Sequence, residues 1–248
     1  MNNRKKVISI DINIGTYNDY LNEICQIAHR KEKGYACFSN VHMVSEAYNN
    51  AEVFKAVNES SFSFPDGMPL VKYLNWLKGI PQKRIAGMDF FPDLLSKAEQ
   101  NKLKVLFYGG SLDLLKKMED ICKSRYPNLQ LVGKISPPFR DISNKERENI
   151  FLEINTSNPD LVFVSLGCPK QELWMYNSYR EINAFLLGVG GAFSVLAGVQ
   201  RRAPVWMQKT SLEWLYRLLG EPRRLFKRYL TTNLNFIILV VKDLIKRN

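Results

Sequence analysis

The feature that most constrains the fold of this chain is a regular alternation between short apolar runs and longer segments of helical periodicity. The runs are rich in branched and aromatic residues, which is typical of β-strands. They are YACFS (35–39), SFSF (61–64), RIAG (84–87), KVLFYG (104–109), LQLVGKI (129–135), LVFVSLG (161–167) and FLLGVG (185–190). The segments between them predict helices over residues 43–57, 89–101, 111–125, 144–157 and 170–180. This order predicts right-handed crossovers, and therefore an α/β fold with a mostly parallel sheet and helices on both faces. The opening VISIDINI (7–14) predicts an edge strand or a hairpin.

Several predicted strands end in residues that continue a strand poorly but suit a binding site. They are Asn40, Asp66 with Gly67, Gly87 to Asp89, Gly109 with Gly110, Gly167 to Gln171, and Gly190 with Gly191. Because the carboxyl ends of parallel strands lie at one edge of a sheet, we expect these residues to meet in a crevice there. Glycine lets the backbone approach a ligand, and the N–H groups of the following helix suit a phosphate. The alternative is that these glycines only close the turns between strands and helices.

No complete motif assigns the crevice to a common enzyme class. YGGS (108–111) and GVGGAF (188–193) lack the G-x-G-x-x-G spacing, and neither a P-loop nor a G-x-S-x-G motif occurs. The four cysteines have no paired spacing and the N-terminus does not resemble a signal peptide, so reduced thiols in the cytoplasm are expected. Cys25 with His29, and the triplet Asp11–Asn13, are weak candidates for metal binding. We therefore predict no metal and no cofactor.

The positive charge of the chain is concentrated in its C-terminal part. The formal net charge is +11, and residues 201–248 alone carry 11 Lys/Arg against 3 Asp/Glu. We therefore divide the chain into an α/β domain, residues 1–200, and a basic helical appendage, residues 201–248. Pro204 can begin an amphipathic helix, and Gly220 with Pro222 can end it and begin another. The apolar stripe of the first helix is Val205, Leu212, Leu215, Tyr216 and Leu219.

The second predicted helix of the appendage combines basic residues with the apolar run FIILVV (236–241). This run is far shorter than the ~20 residues that a membrane-spanning helix requires. Arg224 and Arg228 are four residues apart, and such a like-charged pair favours an anionic partner. Three roles stay open: contact with a membrane surface, docking on the chain's own domain or a second subunit, and binding of a diphosphate by arginines.

Taken together, these motifs resemble the WecG/TagA/CpsF family of glycosyltransferases. The resemblance is carried, in order, by SNVHMV (39–44), PDGMPLV (65–71), RIAGMDF (84–90), FYGG (107–110), LGCPKQELW (166–174), GVGGAF (188–193), AGVQRRAP (197–204) and LEWLYRLLGEPRR (212–224). It implies a Rossmann-like α/β core and an appendage at the cytoplasmic membrane face. It also implies metal-independent, inverting transfer of N-acetylmannosamine or a related sugar from a UDP donor to a polyprenyl-diphosphate-linked sugar. Phe38 and Ser194 depart from the family pattern, which often has Thr and Asp there, so donor recognition is expected to differ.

The resemblance also assigns residues to the reaction. Asp66 is expected to be the general base and Asn40 a second catalytic residue, although Asp66 could instead cap the helix that starts near Met68. Gln171, Gly190 and Gly191 are expected to form the UDP pocket. The other expected substrate-binding residues are Arg84, Asp89, Gly109, Gly110, Arg217, Arg223, Arg224 and Arg228, the arginines binding the diphosphates of donor or acceptor.

The expected partners follow from the same resemblance. They are a UDP-sugar donor, a polyprenyl-diphosphate-linked acceptor and a membrane surface contacted by the appendage, with no nucleic acid and with a homo-oligomer left open. The expected location is cytoplasmic and peripheral, on the inner face of the cell membrane. Two other classes stay open: a nucleic-acid-binding protein with a basic arm, which FIILVV disfavours, and a non-catalytic membrane scaffold, which would bind no UDP.

Overall fold

A computed structural model describes residues 3–246, and its centre is a parallel β-sheet. The sheet has six strands in the order β4-β3-β8-β7-β5-β6. These strands are β3 (Gly34–Ser39), β4 (Phe62–Pro65), β5 (Lys104–Gly109), β6 (Gln130–Ile135), β7 (Leu161–Ser165) and β8 (Phe185–Gly188). β3, β4 and β8 are buried along their whole length, as expected of strands covered on both faces. The predicted α/β fold of Rossmann-like type is confirmed.

Helices cover both faces of this sheet. They are α1 (Tyr17–His29), α2 (Val41–Asn49), α3 (Ala51–Asn58), α4 (Met68–Lys72), α5 (Gly87–Gln100), α6 (Leu112–Arg125), α7 (Asn144–Thr156), α8 (Lys170–Ser178), α9 (Ala192–Leu196), α10 (Val205–Lys209), α11 (Glu213–Gly220) and α12 (Pro222–Ile245). A single π-helical turn, Tyr73–Leu77, continues α4. Helices α1, α5, α6 and α9 bury their apolar side chains on one face of the sheet, and α2, α3, α8 and α12 bury theirs on the other.

The sheet has a hydrophobic core on each of its two faces, and side chains that alternate along a strand contribute to both cores. In β3, Ala36 and Phe38 belong to the first core, whereas Tyr35 and Cys37 belong to the second. The first core is rich in phenylalanine, and Phe91 contacts the rings of both Phe163 and Phe193. Because successive side chains of a strand point to opposite faces, near-continuous apolar runs are what a sheet covered on two sides requires.

An antiparallel hairpin packs beside the edge strand β4. It consists of β1 (Arg4–Val7) and β2 (Ile10–Asn13). Of the edge strand or hairpin predicted for residues 7–14, the structure has the hairpin, but its first strand begins earlier, at Arg4. The backbone N–H of Ser63 donates to the Asn13 side chain at 2.7 Å, and the Arg4 guanidinium donates to the Asn58 carbonyl at 2.8 Å. The hairpin thus satisfies polar groups that an exposed sheet edge would leave open.

Three predicted elements differ from the structure. Residues 84–87 are not a strand: Ile85 makes one backbone hydrogen bond to Pro65, and Gly87 already begins α5. The predicted helix over 43–57 is two helices, because Asn50 interrupts it and caps α3 through bonds from the N–H groups of Glu52 and Val53. The helix expected after Pro204 breaks at Ser211, whose φ of 67° lies in the left-handed region, so it forms α10 and α11.

The C-terminal helix α12 packs against the α/β core. Leu225, Phe236 and Leu239 are buried, the last two with 7% of their surface exposed. The Tyr73 hydroxyl donates to the Asp243 carboxylate at 2.6 Å, which ties the end of α12 to the π-helical turn. Helix α12 therefore docks on the chain's own core, which is one of the three roles that the sequence left open. Among residues 3–246, no helix combines the length and apolarity needed to cross a bilayer.

Candidate functional site

A cavity of about 1130 Å³ opens at the carboxyl ends of β3, β4 and β8. The chain leaves β3 into α2, which packs on one face of the sheet, and leaves neighbouring β8 into α9, which packs on the other. A crevice forms where neighbouring strands send their loops to opposite faces, and this is where ligands bind in open α/β sheets. Residues of α11 and α12 close the cavity opposite the sheet.

Asp66 follows β4 and lines this cavity. The backbone N–H groups of Asp66 and Gly67 both donate to the Ser39 carbonyl, at 2.9 and 3.1 Å, which fixes the turn beside the end of β3. The carboxylate does not cap α4, because that helix has Gly67 at its N-cap position and no side-chain cap. It accepts instead from Arg84 Nη2 at 3.1 Å, and the Gly87 N–H at the start of α5 also favours its charged form.

The Asp66 carboxyl group is tuned by opposing influences. Burial raises its pKa, the Arg84 guanidinium lowers it, and the negative charge of Glu213 raises it. The balance leaves the pKa above the ordinary value for aspartate, while 23% of the side chain stays accessible from the cavity. A carboxylate with a raised pKa and access to a ligand is suited to accept a proton.

Arg84 bridges Asp66 and the C-terminal part of the chain. Its Nη1 lies 2.8 Å from Oε2 of Glu213, in the first turn of α11, and its Nε donates to the Asp66 carbonyl. The two carboxylates hold the guanidinium at the cavity wall and raise the pKa of Arg84 further above its ordinary value. Arg84 therefore remains charged next to the candidate base.

Asn40 lines the cavity next to Asp66 and also begins α2. Its side chain accepts from the Met43 N–H at 3.2 Å as the N-cap of that helix. Gly67 lies so close that a Cβ added to it would come within 3.1 Å of Asn40 Cα. The glycine therefore allows the turns after β3 and β4 to touch, which brings Asn40 and Asp66 to the same part of the wall.

Gln171 and the glycines after β8 form another wall of the cavity. The Gln171 amide donates to the Gly188 carbonyl at 2.9 Å and accepts from the Gly167 N–H at 3.2 Å. A Cβ on Gly190, which has a φ of 51°, would lie 3.2 Å from the Gln171 amide oxygen. Gly190 and Gly191 line the cavity as predicted for a ligand pocket, and the absence of side chains keeps this backbone accessible.

Glu172 follows Gln171 in α8 and is fully buried. Its Oε1 accepts from the Gln171 amide at 2.8 Å, while its Oε2 is buried with no hydrogen-bond partner in the described part of the chain. Burial raises the pKa of Glu172 to about 7. The carboxyl group is therefore protonated over much of the acidic and neutral range, and it orients an amide of the cavity wall.

Two arginines of the predicted appendage reach the cavity. Arg217 of α11 and Arg228 of α12 both line it, and each has a buried Nε without a hydrogen-bond partner among the described residues. Arg228 also lies over the ring of Tyr229, 5.5 Å from its centroid. Buried donors without partners are rare in folded proteins, and at a cavity wall they indicate space for an anionic ligand.

Other predicted site residues lie elsewhere. Arg223 is exposed on α12 and does not line the cavity, and the side chain of Arg224 lies outside the described part of the structure. Asp89 binds both terminal nitrogens of Arg202, an ion pair that joins α5 to the segment before α10. The Asp89 carboxylate therefore has a structural partner and does not line the cavity.

Gly109 and Gly110 also lie away from the cavity. Strand β7 separates β5, which they end, from β8. Gly109 has a φ of 107°, and a Cβ there would approach the Ser165 carbonyl oxygen to 2.3 Å. The turn therefore requires glycine for close packing between strands, which is the alternative that the sequence left open.

Several cavity residues were not predicted from the sequence. They are His42, Gln200, Glu213, Trp214 and Tyr229. Glu213 could have been found as one of only 3 acidic residues in the basic segment 201–248. His42 could have been found from its position two residues after Asn40, and its pKa is lowered by burial and by the charge of Arg228. Phe38 and Ser194, the two departures from the family pattern, also line the cavity. Among the described residues, no three His, Cys, Asp or Glu side chains are grouped as a metal site would require.

Comparison with known proteins identifies relatives over nearly the whole chain. The sequence model of the "Glycosyl transferase WecG/TagA/CpsF family" matches residues 5–248. A protein of Bacillus subtilis (strain 168), named N-acetylglucosaminyldiphosphoundecaprenol N-acetyl-beta-D-mannosaminyltransferase, is 33% identical over 224 residues, which is 90% of this chain and 84% of the relative. A protein of the same name from Bacillus spizizenii (strain ATCC 23059 / NRRL B-14472 / W23) is 34% identical over 188 residues, covering 75% of this chain and 71% of the relative.

The buried carboxyl group of Glu172 predicts a specific dependence of stability on pH. Because its pKa of about 7 in the folded protein lies above the ordinary 4.5, its stabilising contribution is present below pH 4.5 and is lost as the pH rises through about 7. Glu172→Gln should remove this loss, which amounts to roughly 3 kcal/mol. Unfolding by urea at pH 5 and pH 8 should show a smaller difference between the two pH values in the variant than in the wild type.

Glu148→Gln provides the matched control, because Glu148 is exposed on α7. Its unfolding free energy should follow the wild type at both pH values. A Glu172→Gln variant with the same pH dependence as the wild type would contradict the raised pKa.

Proposed function

The chain belongs to the WecG/TagA/CpsF family of glycosyltransferases, and we propose that it transfers N-acetylmannosamine, or a closely related hexose, from a UDP-sugar to a polyprenyl-diphosphate-linked saccharide. It is an enzyme of the hexosyltransferase class, acting in the synthesis of a cell-surface polysaccharide. The observation that carries the residue assignment is the position of Asp66: a carboxylate with a raised pKa faces a cavity that is also lined by two arginines whose buried Nε groups have no hydrogen-bond partner among the described residues.

Asp66 is proposed to act as the general base. The acceptor O–H bond breaks and its proton moves to the Asp66 carboxylate, while the acceptor oxygen forms a bond to the anomeric carbon of the donor. The bond between that carbon and the diphosphate oxygen breaks on the opposite side, and its electron pair leaves with UDP. This displacement inverts the anomeric configuration, and Asn40 is placed to orient the reacting sugar because it lines the same wall.

The leaving diphosphate acquires charge that the protein has to stabilise. Gln171, Gly190 and Gly191 are proposed to bind the UDP part, since their backbone is accessible beside β8. Arg217 and Arg228 are proposed to bind the diphosphate of the lipid-linked acceptor, because their buried Nε groups lack partners within the described chain. Arg84, held by Asp66 and Glu213, adds a fixed positive charge to the cavity wall. No step of this scheme is assigned to a metal ion.

The size of the cavity agrees with two substrates binding together. Its volume of about 1130 Å³ exceeds the ~300–1,000 Å³ that is typical for a single small ligand. Trp214 and Tyr229 contribute an aromatic corner, with ring centroids 6.2 Å apart, to the part of the cavity formed by α11 and α12. A donor and an acceptor sugar thus have room to lie between the sheet edge and the C-terminal helices.

Replacement of the base tests the proposal directly. Asp66→Asn should lower kcat roughly 10²- to 10⁴-fold, the usual contribution of a general base. Its melting temperature should be equal to or above that of the wild type, because a buried carboxylate with a raised pKa does not stabilise the fold at neutral pH. Turnover is measured with a panel of UDP-sugars and a short-chain diphosphate-lipid acceptor in the presence of a chelator.

Asp113→Asn, at an exposed position of α6, is the control and should retain full turnover. Near-normal turnover of Asp66→Asn would remove Asp66 as the base. A folded wild-type protein that transfers sugar from no member of the panel would overturn the proposed function.

The proposed acceptor site makes a second prediction. Arg228→Gln should lower kcat/KM for the diphosphate-lipid acceptor about 10- to 100-fold, because a charge-assisted hydrogen bond contributes roughly 1.5–3 kcal/mol. The Kd for UDP, measured by calorimetry, should change little. Lys227→Gln removes a neighbouring exposed charge of the same helix and should leave both quantities unchanged. An Arg228→Gln variant that loses UDP binding but keeps its acceptor KM would assign this arginine to the donor instead.

The outer face of α12 is proposed to lie on an anionic membrane surface. Apolar residues recur along it at steps of three and four, on the side opposite the buried Leu225, Phe236 and Leu239. The exposed apolar residues of α12 are Phe226, Leu230, Leu234, Ile237, Ile238, Val241, Leu244 and Ile245. Arg223 and Lys227 are exposed on the same helix, and basic residues beside an apolar face are typical of an interfacial helix. A membrane contact would bring the cavity to its lipid-linked acceptor from the inner face of the cell membrane.

Vesicle binding tests this surface. The double variant Leu234→Ser and Ile238→Ser should bind vesicles of phosphatidylglycerol and phosphatidylethanolamine at least about tenfold more weakly, because each replacement removes roughly 1–2 kcal/mol of apolar burial. Leu152→Ser, an exposed position on α7, should bind as the wild type does. Unchanged vesicle binding, with a dimer that dissociates only in the double variant, would assign the face to a second copy of the chain.

A further inference from the structure

The guanidinium group of Arg84 is divided between two carboxylates that come from distant parts of the chain. Nη2 lies 3.1 Å from Asp66 Oδ1 at the end of β4, and Nη1 lies 2.8 Å from Glu213 Oε2 in α11. The third nitrogen, Nε, donates to the backbone carbonyl of Asp66. Only one of the three nitrogens of Arg84 therefore reaches the carboxylate of the candidate base.

We propose that Glu213 is a positioning residue for the transfer reaction. By binding one side of the Arg84 guanidinium, it prevents a bidentate ion pair between Arg84 and Asp66. The Asp66 carboxylate is thereby left available to the acceptor hydroxyl. This inference rests on the proposed function, because it concerns the reactivity of the proposed base. It gives the C-terminal part of the chain a role in the chemistry in addition to its role in substrate binding.

Another ion pair of the same chain shows what Glu213 prevents. Arg202 binds Asp89 through both terminal nitrogens, Nη1 to Oδ1 and Nη2 to Oδ2, which is the fork geometry that arginine and carboxylate favour. Such a fork occupies both oxygens of the carboxylate. At Asp66 the Arg84 fork is opened, since Nη1 lies 2.8 Å from Glu213 Oε2, and the second carboxylate oxygen of Asp66 accepts no hydrogen bond from the guanidinium in the described structure.

The charges around Asp66 support the same conclusion. Arg84 contacts the carboxylate directly, the Gly87 N–H lowers its pKa, and Glu213 lies on the other side of Arg84. The remaining titratable or charged groups of the cavity wall are His42, Cys168, Arg201, Tyr216, Arg217, Glu221, Arg228 and Tyr229. Of the two charged partners, Arg84 lowers the pKa of Asp66 and Glu213 raises it. Glu213 therefore acts in the same direction as burial and makes the base stronger.

This arrangement links the docking of the C-terminal helices to the reactivity of the base. Glu213 lies four residues before Arg217 on α11, so one helix supplies both the acidic partner of Arg84 and a proposed acceptor contact. With α11 absent from the cavity, Arg84 would be free to form the complete fork with Asp66. The base would then be both weaker and less accessible until α11 is in place.

The test is the pH profile of kcat for Glu213→Gln in the full-length protein, measured with a UDP-sugar and a water-soluble short-chain acceptor. The variant should have a plateau kcat roughly tenfold lower. Its acid limb should lie at lower pH than that of the wild type, because removal of the Glu213 charge lowers the pKa of Asp66. Glu213→Ala removes the same charge and should move the acid limb in the same direction, which provides a second variant if the first folds poorly.

Two controls separate this role from a purely structural one. Glu213→Asp keeps the charge and should keep the acid limb close to the wild-type position. Asp243→Ala removes another hydrogen bond between the C-terminal segment and the core, that with Tyr73, without contacting Arg84. It should leave the acid limb unchanged. If Glu213 only held α11 in place, both Glu213→Gln and Asp243→Ala would lower kcat without moving the limb.

A readout independent of turnover completes the experiment. The side-chain carboxyl carbon of Asp66, assigned by its absence in Asp66→Asn, can be titrated by ¹³C NMR in the wild type and in Glu213→Gln. The inference requires the titration midpoint to be lower in Glu213→Gln. An equal or higher midpoint overturns it even in a fully active enzyme. Absence of transfer by the wild type, with the lower midpoint still observed, would instead overturn the proposed function and retain the effect of Glu213 on Asp66.

Discussion

Parallel pairing of β3 with β4 on one side and β8 on the other determines where the proposed site residues at the ends of these strands lie. The pairing places Ser39 beside Pro65, and the Ser39 carbonyl then accepts from the N–H groups of both Asp66 and Gly67. This double hydrogen bond fixes the turn that carries the proposed base. On the other side, the loops after β3 and β8 leave for opposite faces of the sheet, and the space between them is the cavity. A shift of one residue in the register of β4 would point Asp66 in a different direction, since side chains alternate along a strand.

The site contains charges that are unfavourable for folding but useful for binding. Burial raises the pKa of both Asp66 and Glu172, and buried Nε groups of Arg217 and Arg228 lack partners among the described residues. Such groups reduce the free energy of unfolding, because their desolvation is not compensated by hydrogen bonds within the chain. A diphosphate would supply the missing acceptors for the arginines. The phenylalanine-rich core beneath the sheet offers the apolar burial that can offset these costs.

Much of this architecture could be predicted from the sequence, and the exceptions have physical reasons. Strands β5, β7 and β8 were correctly predicted because buried parallel strands are continuous apolar runs. The edge strand β6 was also predicted, although only its Ile135 is buried. Residues 84–87 were mistaken for a strand because Ile85 and Ala86 are buried, although they lie in a loop. The strand ends correctly predicted that Asn40, Asp66, Gln171, Gly190 and Gly191 share one cavity. Gly109 and Gly110 follow the same local pattern, but strand order, which local patterns do not encode, separates them from it. The contact between Arg84 and Glu213 joins residues 129 positions apart and left no local signal.

The two faces of α12 make different contacts. One face is buried against α2 and the π-helical turn, and it places Arg228 at the cavity. The other face is apolar and exposed, so a membrane that covers it would hold α12 without displacing it from the core. The basic residues of this segment therefore lie in two distinct environments. Arg217 and Arg228, which reach the cavity, are partly buried and suited to a diphosphate, whereas Arg223 and Lys227 are exposed and suited to anionic lipid. Because α11 and α12 are consecutive, contact of α12 with a bilayer would also restrain α11, and with it the carboxylate of Glu213 that shares Arg84 with the proposed base.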